Sequence, residues 1–287
     1  MALRMKHHLG QSMSQLRFEP VPTRLRATLA GETVLDTRRG VLVWEPRRLV
    51  PVYAVPVEDV DAEVVPSDPQ PPPPDLGALP RLLGPDGFGT HTTPGSVADL
   101  VAGRVRLTGA GFLPDDEDLS GLVVLDFDAF EGWLNEDEVL VAHPHDPFKR
   151  IDVLASTRRV EVRLDGTVLA STERARLLLE THLPVRYYIP PQDVRMDLLG
   201  PSTTRSACAY KGIASYLSTV DGKEAGRDIA WVYPNPLDDA VRVQDHLAFW
   251  NERTDLVVDG EEVPRPVTPW SRPEEQASAE PDKLEFG

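Results

Sequence analysis

A single cysteine, Cys208, is the only thiol in this chain of 287 residues. One cysteine cannot close an intrachain disulfide, and it rules out a zinc site built on two CxxC pairs. Long apolar runs are missing too, since none approaches the ~20 residues that a membrane-crossing helix needs. Basic residues are scarce: Lys and Arg number 30 against 46 Asp and Glu, a net charge of −16. An acidic surface repels phosphate backbones and anionic lipid, so neither a nucleic-acid partner nor a membrane partner is expected. The first residues, MALRMKHHLGQSMSQLRFEP, include basic side chains but no apolar stretch after them. That is not the layout of a secretory signal, and a cytoplasmic location is the expectation.

Proline is what the chain has in excess: 28 residues, about a tenth of the sequence, where ~5% is ordinary. Prolines this dense interrupt helices and favour short strands, turns and extended linkers, so a mainly β protein with short helices is expected. Apolar residues make up 41% and charged residues 26%, the balance of a globular protein. The length suits two domains, each with its own core. Residues 1–15 are polar and are expected to be a disordered start. The acidic stretch 271–287 lacks apolar periodicity and is expected to be a disordered tail.

An internal repeat organises the rest. FEPVPTRLRATLAGETVLDTRRGVLVWEPRRLVPVYAVPVEDV (18–60) aligns with IDVLASTRRVEVRLDGTVLASTERARLLLETHLPVRYYIPPQDV (151–194). Gly31 falls on Gly166, Glu45 on Glu180, Tyr53 on Tyr187, Pro56 on Pro190 and Asp59 on Asp193. The expectation is two related domains, 16–140 and 141–270, the first carrying a proline-rich insertion over 66–80. In each repeat, strand-like alternation precedes a two-residue step, Ala30-Gly31 or Asp165-Gly166, which predicts a hairpin with a type I′ turn. RARLLLET (174–181) fits either a short helix or a buried strand.

The second repeat runs on into YYIPPQDVRMDLLGPSTTRSACAYKGIASY (187–216). There stand Tyr187-Tyr188-Ile189-Pro190, Ser202-Thr203-Thr204, Cys208-Ala209-Tyr210-Lys211-Gly212 and Ala214-Ser215-Tyr216. Asp228-Ile229-Ala230-Trp231-Val232-Tyr233-Pro234 follows, and HPHDPFKRID (143–152) leads in. Together these motifs resemble the DUF427 family, a domain of unknown function sometimes labelled a nucleotidyltransferase. The likeness is dense from about 142 to 263 and weak before it, as in a two-copy member with a degenerate N-terminal copy. It implies small β-tent-like domains, the scaffold of methionine sulfoxide reductase B and of cereblon's ligand-binding domain. Many proteins on that scaffold bind zinc through four cysteines, which this chain lacks. Ala209 departs from the proline usual in the family at that place.

Each candidate residue has a functional and a structural reading. Cys208 could be a nucleophile activated by Lys211, or a small buried side chain; on one regular strand the two would point to opposite faces. Lys211 with Ser202, Thr204 and Arg205 suits a phosphate or carboxylate. Tyr188, Tyr210, Tyr216 and Trp231 could stack a planar ligand, or fill a core. Asp228 could share acid–base work or pair with Arg205 or Lys211, and Asp193 likewise. His143 and His145 have no third ligand nearby, so no metal is expected. Asp126 and Asp128 lack the other parts of a nucleotidyltransferase site. The expectation is a site for a small polar, nucleotide-like molecule in the second domain; the rival is a non-catalytic protein-interaction module. The sequence names neither ligand, cofactor nor oligomeric state.

Overall fold

Alternating burial marks the strands, as in Leu25–Leu29, where every second side chain is buried, because successive residues on a strand face opposite sides. The chain divides into two units, Met1–Pro147 and Phe148–Gly287, a few residues beyond the expected boundary at 140. A computed structural model describes residue 2 and residues 5–271, apart from 73, 78, 80–82, 85, 86, 182 and 269. Of the expected tail, 272–287 lies outside the described residues. The expected disordered start instead carries a helix, Met5–Ser12, followed by a buried Met13.

In the first unit the strands are β1 (Arg17–Pro20), β2 (Leu25–Leu29), β3 (Glu32–Thr37), β4 (Val41–Trp44), β5 (Val52–Pro56) and β6 (Glu63–Pro66). β7 (Gly95–Ala102), β8 (Val105–Pro114), β9 (Leu122–Leu125), β10 (Gly132–Asn135) and β11 (Glu138–Val139) complete it. The second unit begins with β12 (Ile151–Ala155), β13 (Val160–Leu164), β14 (Thr167–Thr172), β15 (Arg176–Glu180), β16 (Arg186–Ile189) and β17 (Leu199–Cys208). It continues with β18 (Gly212–Thr219), β19 (Ala230–Val232), β20 (Leu247–Phe249), β21 (Asp255–Val258) and β22 (Glu261–Val263). The protein is therefore mainly β, and among the described residues every pairing between these strands is antiparallel.

Among the described residues, each unit holds one seven-stranded and one four-stranded sheet. The larger sheets run β1-β4-β5-β9-β8-β7-β6 and β12-β15-β16-β20-β19-β18-β17; the smaller run β3-β2-β10-β11 and β14-β13-β21-β22. Counted from the start of each unit, the two orders are identical. Ala30 and Gly31, and likewise Asp165 and Gly166, have positive φ, as type I′ turns require. RARLLLET resolves as a strand, β15, hydrogen-bonded between β12 and β16.

In the second unit, side chains of both sheets meet in one core, with Val160, Val162, Ile189, Ala230, Leu247 and Leu256. The period of two puts Leu178, Tyr188, Trp231 and Ala248 on the other face of the seven-stranded sheet. Ala240 and Val243, from the 3-10 segment Asp238–Val243, cover that face. The candidate site is on this second face.

Candidate functional site

The signature Cys208–Gly212 is a hairpin turn rather than part of one regular strand. Cys208 ends β17, pairs with Gly212 at the start of β18, and accepts a hydrogen bond from the Lys211 amide at 3.3 Å. Gly212 takes φ +88°, the left-handed conformation that ends many three-residue hairpin loops. A Cβ there would stand 3.3 Å from the Asn235 carbonyl oxygen. The neighbouring Lys211 carbonyl accepts from the Leu237 amide at 3.2 Å. The tip is thus pinned to the segment after β19.

This turn drives Lys211 inward, to 8% exposure. Its ammonium donates to Oε2 of Glu180 at the end of β15, while Lys149 reaches Oε1 at 3.0 Å. Lys149 is less deeply buried, and its ammonium lies 5.3 Å from the centre of the Tyr210 ring, within cation–π range. Burial opposes ionisation of Glu180, but Lys211 and Lys149 outweigh it and hold the carboxyl at about 2. Burial likewise works against the charge on Lys211, and Glu180 overrides it, raising the lysine well above its ordinary value. Burial pushes Tyr188 up to about 12 and raises Tyr233. Lys211 is therefore a fixed cation. In that state it can hold an anion.

The aromatic residues are locked in a similar way. The Tyr188 hydroxyl accepts from Nε1 of Trp231 at 3.1 Å. Arg186 stacks 5.6 Å from Trp231 and 5.3 Å from Trp250, and forms a bidentate pair with Glu252 at 2.6 and 2.7 Å. Thr268 donates to the same carboxylate at 2.7 Å. Tyr216 shares a hydrogen bond with Ser206 at 2.9 Å, and Tyr210 is buried. Cys208 is half-buried at the strand end.

Ser202, Thr204, Arg205 and Asp228 form a separate cluster at an irregularity of β17. Thr204 donates to Asp228 at 2.7 Å, and the Asp228 amide donates to Ser218 at 2.9 Å. Arg205 turns back onto the carbonyls of Ser202 and Thr204 at 3.0 and 2.7 Å. Asp228 and Asp193 are thus held by other partners than the expected Arg205 or Lys211; Asp193 binds Thr172 at 2.6 Å and Arg174 at 2.9 Å. That second set lines an open groove of about 390 Å³ with Arg159, Ser171 and Glu173. Thr37, Arg39 and Asp59 make the same bonds in the first unit, so this arrangement ties strand to turn in both. Asp126 caps its own turn through the Asp128 amide at 3.1 Å.

Sequence reasoning missed Glu180, Lys149, Arg186 and Glu252 as parts of the site. Glu180 carried a signal, its match with Glu45. Glu45 follows β4 as Glu180 ends β15, and it too is buried. Its carboxylate accepts from the Thr92 amide at 2.6 Å, lies 3.0 Å from Nδ1 of His91, and pairs with Arg48 at 3.4 Å. His91 and Thr92 belong to residues 67–94, between β6 and β7. That is the same place in the strand order as the 209–211 turn between β17 and β18.

The class this defines is a two-sheet antiparallel β unit whose outer face buries a carboxylate between cations. Residues 152–260, all within the second unit, match the family described as Domain of unknown function (DUF427). None of the curated proteins matches the chain. No helix among the described residues is long and apolar enough to cross a membrane.

Proposed function

We propose that this chain is a non-catalytic binding module that works through its exposed surfaces, with the signature residues acting as the keystone of the second unit. The observation that carries this is the burial of Lys211 against Glu180, where it is bonded inward rather than presented. Groups poised to exchange protons near neutrality are not what surrounds it: Glu180 sits far below that range and Tyr188 far above it. The first unit is read as a degenerate copy of the second. The shared strand order and the buried glutamates support this, as does the recurring Thr–Asp–Arg set. A β-tent-like architecture fits two sheets around one core, and a cytoplasmic location fits a chain with a single cysteine.

One observation favours a second reading, a site for a small anionic, nucleotide-like molecule. Two ammonium groups face one carboxylate, leaving a positive charge that a ligand anion would neutralise. The two readings part in one experiment, on Lys211→Met with thermal unfolding and native mass spectrometry. The module reading expects a clear fall in melting temperature and no mass lost from the purified protein. An unchanged melting temperature, with loss of a co-purifying small anion, would overturn it.

A further inference from the structure

We propose that Pro69-Gln70-Pro71-Pro72 is a docking strip for a protein domain whose aromatic-lined, basic-rimmed groove reads polyproline II helices. The proposal deepens the reading of the chain as a surface-acting module and rests on it. All four residues are exposed and belong to no helix or strand. Each proline ring fixes φ near −65° and removes an N–H, so the segment is already biased to the conformation such grooves bind, at small entropic cost. In a helix with three residues per turn, Pro69 and Pro72 share a face.

The strip is tied to the protein at Gln70, and the chain is tied again at Leu76. The Gln70 side chain donates to the carbonyls of Ser67 at 2.8 Å and Val97 at 2.7 Å, and accepts from the Val97 amide at 2.9 Å. That pairing fastens the strip to the edge of β7 and uses up the one side chain that could interrupt a run of rings. Further along the chain, Arg47 donates to the Leu76 carbonyl at 2.6 Å. A tethered strip loses less freedom on binding than a free peptide would.

Charge selects the kind of groove. Asp68 and Asp75 flank the prolines, both exposed, and the sequence 66–80 contains no Lys or Arg. With the whole chain at −16, a groove with an acidic rim would be repelled and one with a basic rim attracted. The second unit has only the 209–211 turn at this point, so the strip is a property of the first unit.

The test titrates the full chain with three probes, an SH3 domain, a WW domain and profilin, each chosen with Lys or Arg at the rim of its aromatic groove, by calorimetry at low and high salt. At least one probe should bind with a dissociation constant below about 1 mM, more weakly at high salt. Pro71→Ala/Pro72→Ala should weaken that binding about tenfold or more while leaving the circular dichroism and the urea midpoint unchanged. Should that pair disturb the fold, Pro72→Ala alone gives the same reading. Silence from all three probes, or binding indifferent to the substitutions in a folded protein, overturns the proposal. Either result is separable from the module reading, which stands or falls on Lys211→Met in the other unit.

Discussion

At the scale of single residues, the decisive fact is that Glu180 takes a lysine on each oxygen. Removing one member of a buried pair costs about 3–5 kcal/mol. Lys149 would still neutralise the carboxylate in Lys211→Met, so the expected loss lies at the low end, about 3 kcal/mol, read as a shift in the urea midpoint at neutral pH. The pair also makes a pH signature. Glu180 is held at about 2 in the fold, against ~4.3 for an unfolded glutamate. A depressed carboxyl stabilises the fold fully above the unfolded value and ceases to do so as pH falls through the folded one. The wild-type advantage over Glu180→Gln should therefore be constant above about pH 5, shrink between about pH 4.5 and 2, and vanish below. Parallel acid titrations of the two proteins, followed by circular dichroism, check this. The residue types of this site were legible in the sequence, but their partners were not. Lys211 meets a carboxylate 31 residues away, and no periodicity encodes a contact that the fold of a whole sheet creates. Lys211, which its aromatic setting suggests as a ligand contact, is bonded inward to Glu180.

At the scale of elements, turns announced themselves only where their residues are the usual ones. Asp165-Gly166 and Ala30-Gly31 carry the glycine that a type I′ turn needs, and the flanking alternation is plain. Ala209-Tyr210-Lys211 contains none of the customary turn formers, so its alternation reads as continuous strand until Gly212 is seen with positive φ. RARLLLET was ambiguous because a strand paired on both sides reads as an apolar run, as a buried helix does. Gly212 is the hinge of this element. Gly212→Ala would meet both an unfavourable backbone conformation and the Asn235 carbonyl oxygen at 3.3 Å. A loss of about 1–2 kcal/mol is expected from the conformation alone, measured against Gly166→Ala, where no atom lies within 4 Å. A larger effect at Gly212 than at Gly166 isolates the contribution of the close approach.

For the molecule as a whole, the mainly β character followed from proline content and strand alternation. The buried polar partners of each unit did not, because composition says nothing of which charges are enclosed. The family match stops at residue 260, yet Thr268 lies deeper in the chain's own structure than its position suggests. It is buried, and it closes the Glu252 carboxylate that Arg186 grips. Ending the full chain after Val263 should cost about 1–3 kcal/mol, the usual penalty for an abandoned buried hydrogen bond, seen as an earlier urea transition than in the intact chain. A terminus placed by the family boundary alone would cut away part of the fold.

The junction between the last two strands of the larger sheet has a practical meaning of its own. In one unit it holds the 209–211 turn, in the other residues 67–94, and either way a buried glutamate finds donors from that segment. Such a junction is a splice point. A foreign peptide or reporter inserted between Cys208 and Gly212 should leave the surrounding sheet intact, provided the graft hands Glu180 a replacement donor for the lysine it displaces and fills the space of the buried Ala209 and Tyr210.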